Sequence, residues 1–178
     1  MRLLEHIFLY FAKYPASAAV QKFFTKTSGG TAYETLKASA IAAAAGKYPV
    51  ITDYIFGVNE ESVSRRISQV KGIYLFVDYG NISSSENNLG VKSDEFNVAV
   101  TVAKPLSSGA TDLAQEVILS EDLLQIISAI RNDMRGDDHD SLTDYMVFPN
   151  DITPFYAREL SNSYGWTLMF RIQGVDMI

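Results

Sequence analysis

The first strong signal along the chain is a helical one. Leu3, Leu4, Ile7, Phe8 and Phe11 recur at i, i+1, i+4, i+5 and i+8, which lays one apolar stripe on a helix. Leu9 and Tyr10 broaden the stripe beyond what one core contact requires, so Leu4, Phe8 and Phe11 are read as candidates for contact with a neighbouring subunit. Pro15 ends this helix or opens a second one. Thr27-Ser28-Gly29-Gly30-Thr31 is a connector, and the pattern predicts a helical arm over residues 1–30 ahead of a core domain over 31–178. Tyr33 to Ala45 is alanine-rich and predicts a helix with Leu36, Ala40, Ile41 and Ala44 on one side and Gly46 as its stop.

From Tyr48 the spacing changes to that of strands. Pro49 to Phe56 and Ile73 to Tyr79 are rich in β-branched and aromatic residues. Between them, Glu60 to Val70 has room for a turn or two of helix. Ser83 to Gly90 is turn chemistry throughout. Strict alternation in the next strand puts Phe96, Val98, Val100 and Val102 on one face and Asn97, Ala99, Thr101 and Ala103 on the other. That contrast predicts helices over the first face and a shallow or partner-covered surface over the second. With the strand before it, this one forms a long hairpin whose tip offers Asn81, Asn87 and Asn88 to a neighbour.

Pro105 closes that strand. A long helix follows within Asp112 to Met134, with a possible break near Leu119 because Ser120-Glu121-Asp122 resembles a fresh N-cap. Tyr145 to Pro149 and Ile152 to Leu160 are ambiguous. Trp166, Leu168, Phe170 and Ile172 alternate on the final strand. The order predicts an α+β fold: a mainly antiparallel sheet with a long hairpin, flanked by helices, plus the N-terminal helical arm.

Composition narrows the function classes. A formal charge of −6 and a pI near 4.9 argue against nucleic-acid recognition; Arg65-Arg66 with Lys71 is the nearest thing to a basic cluster. The absence of Cys excludes disulfides, thiolate metal sites and cysteine nucleophiles. The apolar N-terminus is interrupted by Glu5 and His6 and is too short to span a bilayer, so it reads as a buried or partner-facing helix, with no membrane role.

Candidate chemistry is sparse. Asp137-Asp138-His139-Asp140 is a dense group of potential ligands, but its spacing matches no calcium loop and it reads as a solvated loop. His6 reads as a buried or interfacial histidine, and no Gly-x-Ser-x-Gly elbow accompanies either histidine. Ala45-Gly46-Lys47-Tyr48 lacks the earlier glycine and the Ser or Thr of a phosphate loop. Asp94-Glu95 on a strand point to opposite faces, and Glu121-Asp122 lie where negative charge favours a helix start. These readings give no catalytic group, cofactor or metal, and point away from an enzyme.

The order of elements carries a resemblance. A strand opens at Tyr48-Pro49-Val50-Ile51, a hairpin runs into a strand ending Lys104-Pro105-Leu106, a long helix follows, and Gly165 to Ile172 closes the run. Over roughly residues 45–178 this resembles the tail-terminator and neck proteins of tailed bacteriophages and related contractile injection machines; the first 45 residues have no counterpart there. The resemblance implies a structural protein of the virion, assembled in the host cytoplasm. Copies of it would form a ring, hexameric or twelve-fold, at the head–tail junction beside tail or connector proteins, with DNA only as passing cargo. An acidic surface suits a channel that must not retain DNA. The alternative is a non-catalytic bacterial α+β module that binds a small ligand or peptide, its aromatic residues lining a pocket.

Overall fold

The computed structural model describes residues 2–86, 90, 92–106, 112–137 and 146–174. Over these the chain is an α+β fold with one five-stranded sheet. Its strands are β1 (Ile51–Phe56), β2 (Ile73–Glu86), β3 (Lys92–Pro105), β4 (Met146–Ala157) and β5 (Ser163–Gly174). They lie in the order β1-β2-β3-β5-β4, with β1 and β2 parallel and the other neighbours antiparallel. The helices are α1 (Leu3–Ala12), α2 (Ser17–Phe23), α3 (Thr31–Ala43), α4 (Glu60–Ile67) and α5 (Leu113–Gly136).

The alternation in β3 sets the layers. Phe96, Val98, Val100 and Val102 are buried with Leu168, Phe170 and Ile172 of β5 beneath α1 and α5. On the opposite face α4, the crossover between β1 and β2, buries Val63 and Ile67 against Ile55, Tyr74, Phe76 and Ala103. Helices therefore flank both faces, and the expectation of helices on one side only is corrected. The second face is covered at its β1–β2 end, while Met169 of β5 stands exposed farther across it.

The helices before Gly30 are part of the core rather than an arm. Ala19 and Val20 of α2 are fully buried, and the Ala16 amide donates to the Ile51 carbonyl at 3.0 Å. Phe8 packs on Phe23 at a ring separation of 4.8 Å and on Tyr54 at 5.3 Å. The Tyr54 hydroxyl donates to the Phe8 carbonyl at 2.8 Å, which satisfies a polar group deep in this layer. α3 lies outside α1 and α2 and buries only Ala40 completely; Ile41 faces outward. The helix stops at Ala43. Gly46, with φ of +65°, sits in the following turn, where the Lys47 and Tyr48 amides donate to the Lys13 and Tyr14 carbonyls.

α5 is continuous, with no break near Leu119. Asp112 is its N-cap, accepting from the Ala114 amide at 3.0 Å. Ser120 does other work: its hydroxyl accepts from Tyr164, and its carbonyl accepts from the Trp166 indole at 3.0 Å. The hairpin is longer than its composition suggests. Ser83 to Glu86 pair residue by residue with Glu95 to Lys92, after a bulge between Tyr79 and Ile82.

Gly165 pairs with Ala103 across β3 and β5, where a Cβ would meet the Val102 carbonyl oxygen at 2.1 Å and Ala103 Cα at 2.6 Å. Backbone cannot yield as a flexible side chain does. Gly165→Ala is therefore expected to cost about 1–3 kcal/mol, seen as a lower denaturation midpoint with an unchanged slope.

Candidate interaction surfaces

Four of the residues singled out for interaction are described, and the structure separates them into surface and core. Leu4 is 39% exposed, whereas Phe8 is 3% and Phe11 0% exposed. Phe8 stacks within the α1–α2–β1 aromatic layer, and Phe11 packs near Phe170 of β5 at 6.1 Å. Both are core residues of this chain, so the reading of Phe8 and Phe11 as intermolecular contacts is corrected. The broad apolar stripe of α1 is explained by two layers, sheet below and α2 and α3 around it. Asn81 is exposed at the β2 bulge, where its side-chain oxygen accepts from Asn97 at 3.3 Å. Asn87 and Asn88 lie outside the described residues.

The exposed apolar surface gathers elsewhere. Leu113, Val117 and Ile118, on the first turns of α5, are 75%, 69% and 63% exposed. The buried positions of this helix begin only at Leu123. Ile118 and Leu119 line a recess of about 330 Å³ with Lys104, Pro105 and Leu106 from the end of β3. Helical periodicity alone does not distinguish an apolar residue that packs from one that overhangs its sheet. The second half of β2 is a further surface, since Gly80 to Glu86 are exposed and β1 pairs no farther than Val77. Its outer edge carries backbone groups with no strand beside them among the described residues.

The uncovered part of the second sheet face forms a shallow cleft of about 460 Å³. Asp78, Asn97, Ala99, Asp151, Met169 and Arg171 line it. Burial pushes the Asp78 carboxyl above its ordinary range, against a backbone hydrogen bond at Tyr79 that draws it down. Arg171 is engaged with Glu95 at 3.1 Å. Asp94, on the other face, is buried and accepts from Ser84 at 2.5 Å, so the adjacent carboxylates are separated as the alternation requires.

The remaining candidates have structural partners. Arg65 meets Glu61 at 3.5 Å, and Arg66 donates to the Lys22 carbonyl. Glu121 accepts from Gln125 at 2.7 Å. Asp137, the first residue of the acidic run, is held by Lys13 at 2.5 Å, and Asp133 by Lys47 at 2.6 Å. These pairs clamp the end of α5 onto the α1–α2 junction and the turn after α3, over the buried ring of Tyr14. Desolvation raises the Tyr14 hydroxyl pKa, so it remains protonated and neutral. Asp138, His139 and Asp140 lie outside the described residues. Among the described residues no three His, Asp or Glu side chains gather as a metal site, and no helix is long and apolar enough to cross a membrane. Comparison with protein-family models and with curated proteins finds no match.

Two measurements check this division of core from surface. Phe11→Ala is expected to destabilise the fold by about 3–5 kcal/mol, while Leu4→Ala leaves the melting temperature within about 2 °C of the parent, as an exposed site should. The Lys13–Asp137 pair adds a pH dependence. The hydrogen bond from Lys13 holds the Asp137 carboxyl below its ordinary pKa of 3.8. A depressed pKa gives stability that is present above the unfolded value and is lost as pH falls through the folded one. Asp137→Asn should thus lower stability at pH 7 by about 1 kcal/mol or less, since the pair is partly exposed. In melts recorded down the pH scale, the difference from the parent should vanish in acid.

Proposed function

We propose that this chain is a structural virion protein of a tailed phage or prophage, one protomer of an oligomeric ring at the head–tail junction, as tail terminator or neck component. The observation that carries the reading is the overhang of α5, whose first turns hold three large apolar residues out of the core. Monomeric soluble domains rarely leave such a cluster in water without a partner. The element order described above, resembling the phage tail-terminator and neck proteins, supplies the setting. The long polar edge of β2 supports it further, because a strand edge at the rim of a sheet can pair with another protein. The ring's partners are other copies of the chain, in six-fold or twelve-fold arrangement, and adjacent tail or connector proteins. DNA passes through it, and no chemistry or cofactor is required of the chain.

A second reading takes support from the cleft on the open sheet face: a non-catalytic ligand- or peptide-binding module, with Met169 and Ala99 as an apolar floor and Asp78 and Asp151 as acidic groups.

Light scattering on purified protein over a concentration series, with negative-stain microscopy, tests the first reading. Closed rings of uniform size are the expected result. A particle that stays monomeric at high concentration, and that shows a ligand-dependent rise in melting temperature, favours the binding module instead.

A further inference from the structure

We propose that the corner where β1 ends, between α2 and α4, binds a small carboxylate with an apolar body. The carboxylate meets Arg66, and the body enters the aromatic recess beside it. Such a site is independent of ring formation and distinct from the cleft on the open sheet face.

β1, α4 and β2 form a parallel βαβ unit. β1 stops at Phe56, and the Gly57 amide closes its end by donating to the Val77 carbonyl at 3.1 Å. β2 runs on past this point with no strand on that side among the described residues. Beyond the end of β1 lies a recess of about 260 Å³, walled by Phe23 of α2, Phe56, Tyr79 and Val63. The crevice past the carboxyl ends of parallel strands is where such units commonly take ligands. Its walls are already held in place. Phe56 packs on Tyr79 at a ring separation of 5.1 Å and on Phe8 at 5.3 Å, and Tyr79 packs on Phe96 of β3 at 6.4 Å. Walls fixed in advance lower the ordering cost of binding.

Arg66 gives the recess its chemistry. It is the only charged side chain among the described residues that line it. Its guanidinium donates to the Lys22 carbonyl, which orients the group without neutralising it. No carboxylate pairs with it among the described residues, because the neighbouring charges are committed elsewhere. Glu61 meets Arg65 at 3.5 Å, and Lys22 meets Asp53 at 3.6 Å. Glu60 lines a separate recess with Asp78 and Glu159. A guanidinium carries five N–H donors in a planar fork that matches a carboxylate. Ser62, on the same rim, adds a hydroxyl donor. A single cation among apolar rings suits a singly charged group; a phosphate dianion would find no second cation in the lining. Volume limits the rest of the ligand. The recess is smaller than the roughly 300–1,000 Å³ of pockets that hold drug-sized molecules, so one ring or branched chain fills it.

Titration of isotopically labelled protein with hydrocinnamate, the neutral hydrocinnamide and the cationic phenylpropylamine, followed by amide chemical shifts, tests the site. Hydrocinnamate should give saturable shifts centred on Phe56 to Arg66 and on Tyr79. It should bind at least tenfold more tightly than the amide, and the amine should give no shifts there. Arg66→Gln should weaken the acid at least tenfold and bring it level with the amide. A circular dichroism melt checks that this variant is folded. If it is not, Arg66→Lys replaces it, keeping the charge but losing the fork, with a severalfold loss expected. An acetylated tripeptide ending in Phe separates two sources of the same chemistry. Tenfold tighter binding than hydrocinnamate, with shifts spreading along Gly80 to Glu86, identifies a polypeptide C-terminus laid on the β2 edge. Equal or weaker binding, confined to the recess, identifies a small free acid. Equal affinity of the parent for acid and amide, or no saturable shift below about 10 mM, overturns the site. Full affinity for the acid in Arg66→Gln or its replacement overturns it as well.

Discussion

β3 must hydrogen-bond along both of its edges at once, to β2 on one side and β5 on the other, over nearly its whole length. A strand so placed has no freedom of register, because a one-residue slip would exchange Phe96, Val98, Val100 and Val102 for Asn97, Ala99, Thr101 and Ala103. The valine face needs a cover, and α1 and α5 provide it. The other face is small and partly polar, so it tolerates a crossover helix over one end and water over the rest. Every surface of interest is positioned by this strand. The recess beside Ile118 begins where β3 ends, the open cleft spreads across its polar face, and the β2 edge is held out by its pairing with the first residues of β3.

The position of α5 follows from the same constraint. Its buried residues Leu123, Ile127, Ile130 and Met134 keep a helical spacing that matches the core. Ser120 is fixed by Trp166 and Tyr164 from β5, the neighbour of β3. The helix is anchored at its middle by apolar packing and at its end by the two lysine–aspartate pairs. Its first turns are left beyond the sheet, capped by Asp112 and exposed to solvent. Burial of Leu113, Val117 and Ile118 would require something that the described residues do not supply.

Much of this fold can be read from periodicity, and the parts that cannot share a physical cause. Strands β3 and β5 alternate cleanly, and β1, buried on both faces at Tyr54 and Ile55, is legible from its β-branched and aromatic residues. The end of β2 is serine-rich, with weak strand propensity, and is held extended by its ladder to β3. β4 contains Pro149 and Pro154, which weaken a strand signal; as an edge strand it tolerates them, having a neighbour on one side only among the described residues. The interaction surface was harder to find than the fold. Phe8 and Phe11 owe their burial to Tyr54 and Phe170, and Asp137 its role to Lys13, all partners distant in sequence. The α5 overhang has the same apolar spacing as the packed part of that helix, and only the extent of the sheet beneath separates the two.

The aromatic layer around α1 also bears on how the chain reaches its native state. α1 is made before every strand of the sheet, yet Phe11 finds Phe170 only on β5, and Phe8 finds Tyr54 only after α2 and α3 have also emerged. Contacts so separated along the chain form late and slow folding. A greasy helix is left uncovered on the ribosome in the meantime, as an aggregation hazard and a site for chaperones.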